Sequence, residues 1–380
     1  MKWVTNAAAA AFEAIPLPGF QIGGRTIAAD WTACFDCEGI RFVLGEQYGT
    51  TKTVYDHAVV EAGGVCTPLT ANGAPALMIG PGQTITTDPA MLPVHAGERI
   101  TLWLYHAEDR NPSTASLSHQ RHSPLGDWCG KPFAPEPFSA AVGGMQIPEP
   151  LFSFCRMEAA VPDGSDATAI AAFGDSITAM DFWVAPLRQL IQTTRRNTSL
   201  LNLGISGNRL LRDTRFAAAP VTPQLFGYSG LKRLDQDVLA APGISTVLLA
   251  LGGNDIAQPG GDPTSTPPAE ERCTAQELIE GYRTVLRRCR EQGIRVAGCT
   301  ITPFGGYQTA RPEALQIRRE VNAWILESNA FDLTVDFARA IADPQNKDCM
   351  LPAYDSGDHL HPNWAGGQEM ARCVDLSALL

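Results

Sequence analysis

The chain has 380 residues, of which 44% are hydrophobic and 18% charged, with a formal net charge of -11 and a pI near 5.1. This composition excludes a disordered chain. An acidic surface repels nucleic-acid phosphates and anionic lipid heads, so a neutral small molecule is the expected partner, with no nucleic acid and no membrane. The length exceeds what one hydrophobic core usually serves, which predicts two domains.

No apolar run approaches the roughly 18 to 20 residues that span a bilayer. The opening stretch, Met1 to Asn6 followed by Ala7 to Ala11, is interrupted by Asn6 and Glu13 and forms no apolar leader core, so it is read as part of the folded domain. Ten cysteines are scattered without the short repeated spacings of disulfide-stapled secreted domains. Both features predict a reducing, cytoplasmic location.

Taken in chain order, the first half reads as β structure. Short runs at Ile40 to Leu44, Tyr55 to Glu61, Ala76 to Ile79, Gln83 to Thr86 and Arg99 to His106 are separated by Gly, Pro and Asn clusters such as Asn72-Gly73 and Gly80-Pro81-Gly82. Strands of this length and spacing predict an all-β, jelly-roll-like sandwich. A proline-rich stretch from Cys129 to Pro150, with Pro132, Pro135, Pro137, Pro148 and Pro150, reads as its last loops or the connection onward. The expected domains are residues 1–160 and 161–380.

From residue 168 strands and helices alternate. Strands are predicted at Thr168 to Phe173, Leu200 to Leu203, Thr246 to Leu251, Ile294 to Ile301 and Leu333 to Val335. Helices are predicted at Phe182 to Arg195, Leu231 to Leu239, Ala275 to Gln292 with a stop at Gly293, Glu313 to Glu327, and Pro362 to about Cys373. The alternation predicts an α/β domain, a parallel sheet of about five strands between two helical layers. In such sheets functional groups collect at the carboxyl ends of the strands.

Four segments lie where that rule requires. Gly174-Asp175-Ser176-Ile177-Thr178 follows the first strand, where the N-terminal amides of a following helix favour developing negative charge on the serine. Asn202-Leu203-Gly204-Ile205-Ser206-Gly207-Asn208 follows the second, and a glycine there lets a backbone N–H point at a ligand. Gly252-Gly253-Asn254-Asp255 follows the third and offers a side-chain amide to an oxygen that becomes negative during acyl transfer. Asp358-His359-Leu360-His361-Pro362 precedes the final helix, and a carboxylate three residues before an imidazole can orient its Nδ1 and leave Nε2 free. Only His361 has an Asp three positions earlier; His359 has Ser356 there. Each segment alone is ordinary turn grammar. Their joint order is not.

These four segments resemble the sequence blocks of the SGNH hydrolases, also called GDSL esterases, over residues 168–380. The resemblance implies a three-layer α/β/α fold, a nucleophile at Ser176, oxyanion-hole donors at Ser176, Gly207 and Asn254, and the Asp358–His361 pair. The longer run Asn202 to Leu211, with Leu234 to Leu239, is similar to bacterial members found beside hemicellulose-degrading enzymes. Many of those remove acetyl groups from sugars and carry a β-rich domain ahead of the hydrolase. This implies an acetylated oligosaccharide as substrate and no cofactor or metal. Other acyl hydrolases (arylesterase, lysophospholipase, thioesterase) and a carbohydrate-binding protein with an inactive hydrolase half are the alternatives.

The first half holds two further features of note. Trp31, Tyr48, Tyr55, Trp103, Tyr105 and Trp128 form a pool of aromatic surface for sugars, although aromatics in strands belong to cores more often than to sites. Cys34, Cys37, His119 and His122 offer four zinc-type ligands, but their loose spacing and wide separation argue against a metal.

Overall fold

The computed structural model describes residues 1–14, 22–108, 110–117, 120–135, 141–142, 145–146, 150–194, 197–214, 224–261 and 266–380. Pro137, Pro148, His119 and Arg195 lie outside the described residues. The chain divides into two compact units, Met1–Thr168 and Ala169–Leu380. The division falls after residue 160 because Phe154–Val161 is a strand inside a sheet of the first unit, and a short turn leads out of it.

The first unit is built of antiparallel sheets. One orders the strands Lys2–Ala8, Phe154–Val161, Gly39–Gly45 and Thr84–Thr86, and another orders Gln120–Leu125, Arg25–Thr32, Arg99–His106, His57–Ala62 and Val65–Pro68. Ile40, Phe42 and Leu44 alternate along Gly39–Gly45 and are fully buried, the period-2 signature that made this strand legible. Trp31 from the five-stranded sheet stacks on Phe154 from the four-stranded one, with centroids 4.6 Å apart. The expected strand Tyr55 to Glu61 is two strands. Thr53–Tyr55 pairs with Leu77–Ile79, and His57–Ala62 pairs with Arg99–His106. At the break, the Asp56 carboxylate accepts the Ala107 N–H at 2.9 Å.

Of the aromatic pool, Tyr55 and Trp103 are core residues, while Trp31, Tyr48, Tyr105 and Trp128 are half-buried. Cys34, Cys37 and His122 form no ligand cluster among the described residues. The group that does gather is His57, Asp127 and Cys129, with ligand atoms within 4.8 Å of one another. Each already has a partner: His57 Nδ1 meets Asp127 Oδ2 at 2.7 Å, Asp127 Oδ1 accepts the Cys129 N–H, and the Cys129 thiol donates to the His57 carbonyl.

The second unit is α/β. Its five-stranded sheet runs in the order Thr198–Gly204, Thr168–Gly174, Ile244–Ala250, Arg295–Cys299, Leu333–Val335. Thr168–Gly174, Ile244–Ala250, Arg295–Cys299 and Leu333–Val335 pair successively in parallel. Alternation along the strands sends Ile170, Ala172, Leu248 and Ala297 into a core with Trp183, Leu187, Phe337 and Met370, under the helices Val184–Thr194, Phe337–Ile341 and Trp364–Arg372. On the other face Phe173 lies beneath Arg233, and Tyr282 donates to the Leu251 carbonyl at 2.6 Å. The helices there are Gly230–Leu234, Ala275–Glu291 and Pro312–Glu327.

Helix ends follow from local chemistry. Thr274 and Glu277 form a reciprocal capping box at the start of Ala275–Glu291, and Gly293, at φ 70°, stops it. The helix expected from Pro362 starts at Trp364, because the Asn363 side chain caps it by accepting the Gly366 N–H at 3.0 Å, and a further short helix, Leu376–Leu379, follows. The expected helix Leu231 to Leu239 is an α-turn over Gly230–Leu234 that widens into a π-helix over Asp235–Leu239. Among the described residues no helix is long and apolar enough to cross a membrane.

Candidate active site

In this strand order the chain leaves Thr168–Gly174 toward one neighbour and returns through the other, so the crevice at its carboxyl end is where loops diverge. Ser176 stands there. It opens a one-turn helix, Ser176–Ala179, separate from Val184–Thr194, and Asp175 caps that turn by accepting the Ile177 N–H at 3.1 Å. The turn fits only because Gly204 has no side chain, since a Cβ there would lie 2.3 Å from the Ala179 backbone nitrogen.

The structure brings Ser176, His361 and Asp358 into one line. Ser176 Oγ lies 2.8 Å from His361 Nε2, and His361 Nδ1 lies 2.6 Å from Asp358 Oδ2. Partial burial pushes the Asp358 carboxyl up, but hydrogen bonds from the His361 N–H, the His361 ring and the Leu360 N–H outweigh it. The carboxyl ends lowered to about 2. It therefore stays ionised and keeps the imidazole proton on Nδ1, which leaves Nε2 to accept from the serine.

Asn254 lies in the short helix Gly253–Ala257 and borders the same pocket as Ser176, together with Leu251, Ile301, Phe304 and Leu360. The pocket holds about 40 Å³ of free space. The Asn254 amide donates to the Asn208 carbonyl at 3.0 Å and its Oδ1 accepts from Gln258 at 3.1 Å, so the plane of the amide is fixed. Gly207 does not line that pocket. It is linked to Asn254 through Gln258, which donates to the Gly207 carbonyl at 3.2 Å. Gly207 has φ 71°, and a Cβ there would meet the Phe226 ring at 2.7 Å.

Three residues to which sequence reasoning gave no role form ordered contacts in or around these loops. Asp255 is buried and accepts the N–H groups of Leu210 and Leu211, tying the loop after the third strand to the loop after the second. Its neighbour Asn254 had been singled out, and the same tetrapeptide carried the signal. His359 does have a partner: Asp355, four residues earlier, meets its Nδ1 at 2.7 Å. That spacing is four, and His359 has φ 63°, while the three-residue spacing holds for Asp358 and His361. Arg233 is buried against Asp237 at 2.8 Å, an i,i+4 pair visible in the sequence once looked for.

The family model of the GDSL-like lipase/acylhydrolases matches residues 172–368, just over half of the chain. The chain belongs to this GDSL-like family. No curated protein matches it. Among solved structures it is similar to a catalytic mutant of an acetylxylan esterase from Geobacillus stearothermophilus at 22% identity, covering 55% of this chain and 93% of that one with a TM-score of 0.41. It is also similar to a GDSL-like lipase from Bacteroides thetaiotaomicron at 17% identity, covering 56% and 88% with a TM-score of 0.39. A third is the psychrotrophic esterase EstA from Pseudoalteromonas sp. at 18% identity, covering 54% and 93% with a TM-score of 0.37. As a GDSL-like acylhydrolase the chain is a carboxylic ester hydrolase.

Asp175, next to the serine, carries a pH signature. Burial pushes its carboxyl up to about 6, against the pull of the Ile177 N–H and the His361 charge. The folded state then holds this proton more tightly than the unfolded chain, so its ionisation costs stability as pH rises from about 4 to about 6. Asp175→Asn keeps the cap and removes that cost. Urea unfolding should show the variant gaining on the wild type by roughly 2 to 3 kcal/mol between pH 4 and pH 7. A difference independent of pH would contradict the assignment.

Proposed function

We propose that this GDSL-like hydrolase is a serine esterase that removes O-acetyl groups from carbohydrates such as acetylated xylan- or mannan-type oligosaccharides. Ser176 is the nucleophile, His361 the general base and Asp358 the residue that orients the imidazole. The observation that carries the catalytic part is the unbroken hydrogen-bonded line Ser176–His361–Asp358 at the carboxyl end of the sheet.

The serine hydroxyl attacks the ester carbonyl and its proton passes to His361 Nε2. The tetrahedral oxyanion is held by the Ser176 N–H, the Gly207 N–H and the Asn254 amide. Collapse of the intermediate returns the proton from His361 to the departing sugar hydroxyl and leaves acetyl on Ser176. A water, deprotonated by His361, then attacks the acyl-enzyme, acetate departs, and the serine regains its proton.

One observation favours a sugar as the alcohol part of the ester. Trp364, three residues after His361, is 49% exposed and packs edge-on against Phe182. An exposed tryptophan in the helix that follows the His361 loop is the kind of surface on which a sugar ring stacks. The ten cysteines, scattered without disulfide-type spacing, fit a reducing, cytoplasmic compartment and thus an imported oligosaccharide.

Steady-state hydrolysis of aryl acetates checks the roles. Ser176→Ala or His361→Ala should lower kcat on the order of a millionfold, as for residues that act as a unit. Asp358→Asn should cost about ten-thousandfold and Asn254→Ala roughly a hundred- to a thousandfold. Near-normal turnover by Ser176→Ala would end the assignment. In an aryl ester series, kcat/KM should fall by at least about a hundredfold from acetate to octanoate; a rise with chain length would favour a lysophospholipase or thioesterase instead. Trp364→Ala should raise KM for acetylated xylo-oligosaccharides about tenfold and leave a small aryl acetate within about twofold. Equal effects on both would remove the sugar from the reading.

A further inference from the structure

Arg233 is a charged side chain among the most buried groups of the second unit, and the proposed reaction has no direct use for it. Its guanidinium spends its donors on four acceptors. Nη2 donates to the Gly174 carbonyl at 2.9 Å, Nη1 to the Leu203 carbonyl at 2.9 Å and to Asp237 at 2.8 Å, and Nε to Asn208 Oδ1 at 3.0 Å. The plane lies 4.1 Å from the centre of the Phe173 ring. A planar fork can hold this geometry; an ammonium on a flexible stem cannot.

The acceptors are not scattered. Gly174 ends the strand that delivers Ser176 two residues later, and Leu203 is the penultimate residue of the strand that delivers Gly207. Asn208 follows Gly207, and its carbonyl receives the Asn254 amide. The Asn208 side chain is committed at its other end as well, donating to the carbonyls of Phe226 and Tyr228 at 2.6 and 2.8 Å. All three proposed oxyanion donors therefore lie within two residues, or one hydrogen bond, of a residue that Arg233 holds.

We propose that Arg233, held by Asp237, is a positioning residue for the oxyanion hole: through Gly174, Leu203 and Asn208 it sets where the Ser176 N–H, the Gly207 N–H and the Asn254 amide converge. This rests on the esterase reading above and adds a residue to it. The physical logic is that oxyanion donors act only if their positions are fixed before charge develops. Donors from three separate loops need a common anchor, and Arg233 touches two of these loops directly and the third through Asn208. Arg233 acts through these groups and never meets the substrate.

Arg233→Lys is the sharp variant, because it keeps a cation for the buried Asp237 while losing the fork. Active sites are first counted by stoichiometric labelling of Ser176 with an aryl phosphonate, and kcat is expressed per labelled site. The expected result with an aryl acetate is a fall in kcat of about a hundredfold with KM within about threefold, since the ground state does not use the hole. In an Asn254→Ala background the same substitution should cost clearly less than it does in the wild type, because one of the three donors it positions has already gone. A purely structural Arg233 would leave kcat per labelled site unchanged, or multiply fully with Asn254→Ala, and either result overturns the inference. Should Arg233→Lys not fold, Asn208→Ala, which leaves the other three acceptors of Arg233 in place, decides by the same kcat-against-KM comparison. A wild type that labels with phosphonate and hydrolyses esters while these variants match it defeats this inference alone. A wild type that hydrolyses no ester defeats the esterase reading itself.

Discussion

The second unit depends on how a parallel sheet with this strand order ends. Three neighbouring strands, Thr198–Gly204, Thr168–Gly174 and Ile244–Ala250, deliver their carboxyl ends side by side, and the chain must turn away from each within a few residues. Backbone groups at those ends lose their ladder partners and have to find others. Asp255, Asn254 and Arg233 supply them, and in doing so lock three loops of distant sequence to one another. The crevice is thus rigid before any substrate arrives. The same buried polar groups that complete the strand ends also hold the serine, the glycine turn and the amide in place.

Burial is what gives these contacts their weight. A buried guanidinium or carboxylate is tolerable only when its hydrogen-bonding capacity is filled, and once filled it resists displacement. Arg233 meets that condition with two strand-end carbonyls, one amide oxygen and one carboxylate. Asp255 meets it with two backbone N–H groups. By contrast Asp358 is half-open to solvent and is held by short-range hydrogen bonds from its own loop. The His361 loop therefore carries its own orienting carboxylate, and its internal geometry does not draw on the sheet.

What was legible in the sequence follows from how local each signal is. The helix Ala275–Glu291 was visible because the glycine that stops it, Gly293, lies within a few residues of its end. The Asp358–His361 spacing was visible for the same reason. Arg25–Thr32 and Phe154–Val161 escaped notice, since Ala28, Ala29, Ala159 and Ala160 are too small to mark a strand by hydrophobic pattern, and these strands are fixed by partners far along the chain. The links from Arg233 to Gly174 and from Asp255 to Leu210 span tens of residues and obey no spacing rule, so only a folded chain could reveal them.

The first unit closes on itself in an order with a consequence for synthesis. Among the described residues Lys2–Ala8 has a single neighbour in its sheet, and that neighbour, Phe154–Val161, emerges about 150 residues later. At ordinary elongation speed the wait is on the order of ten to thirty seconds. Throughout it the nascent chain displays an unpaired ribbon containing Trp3 and Val4, an open template for another growing polypeptide on the same messenger.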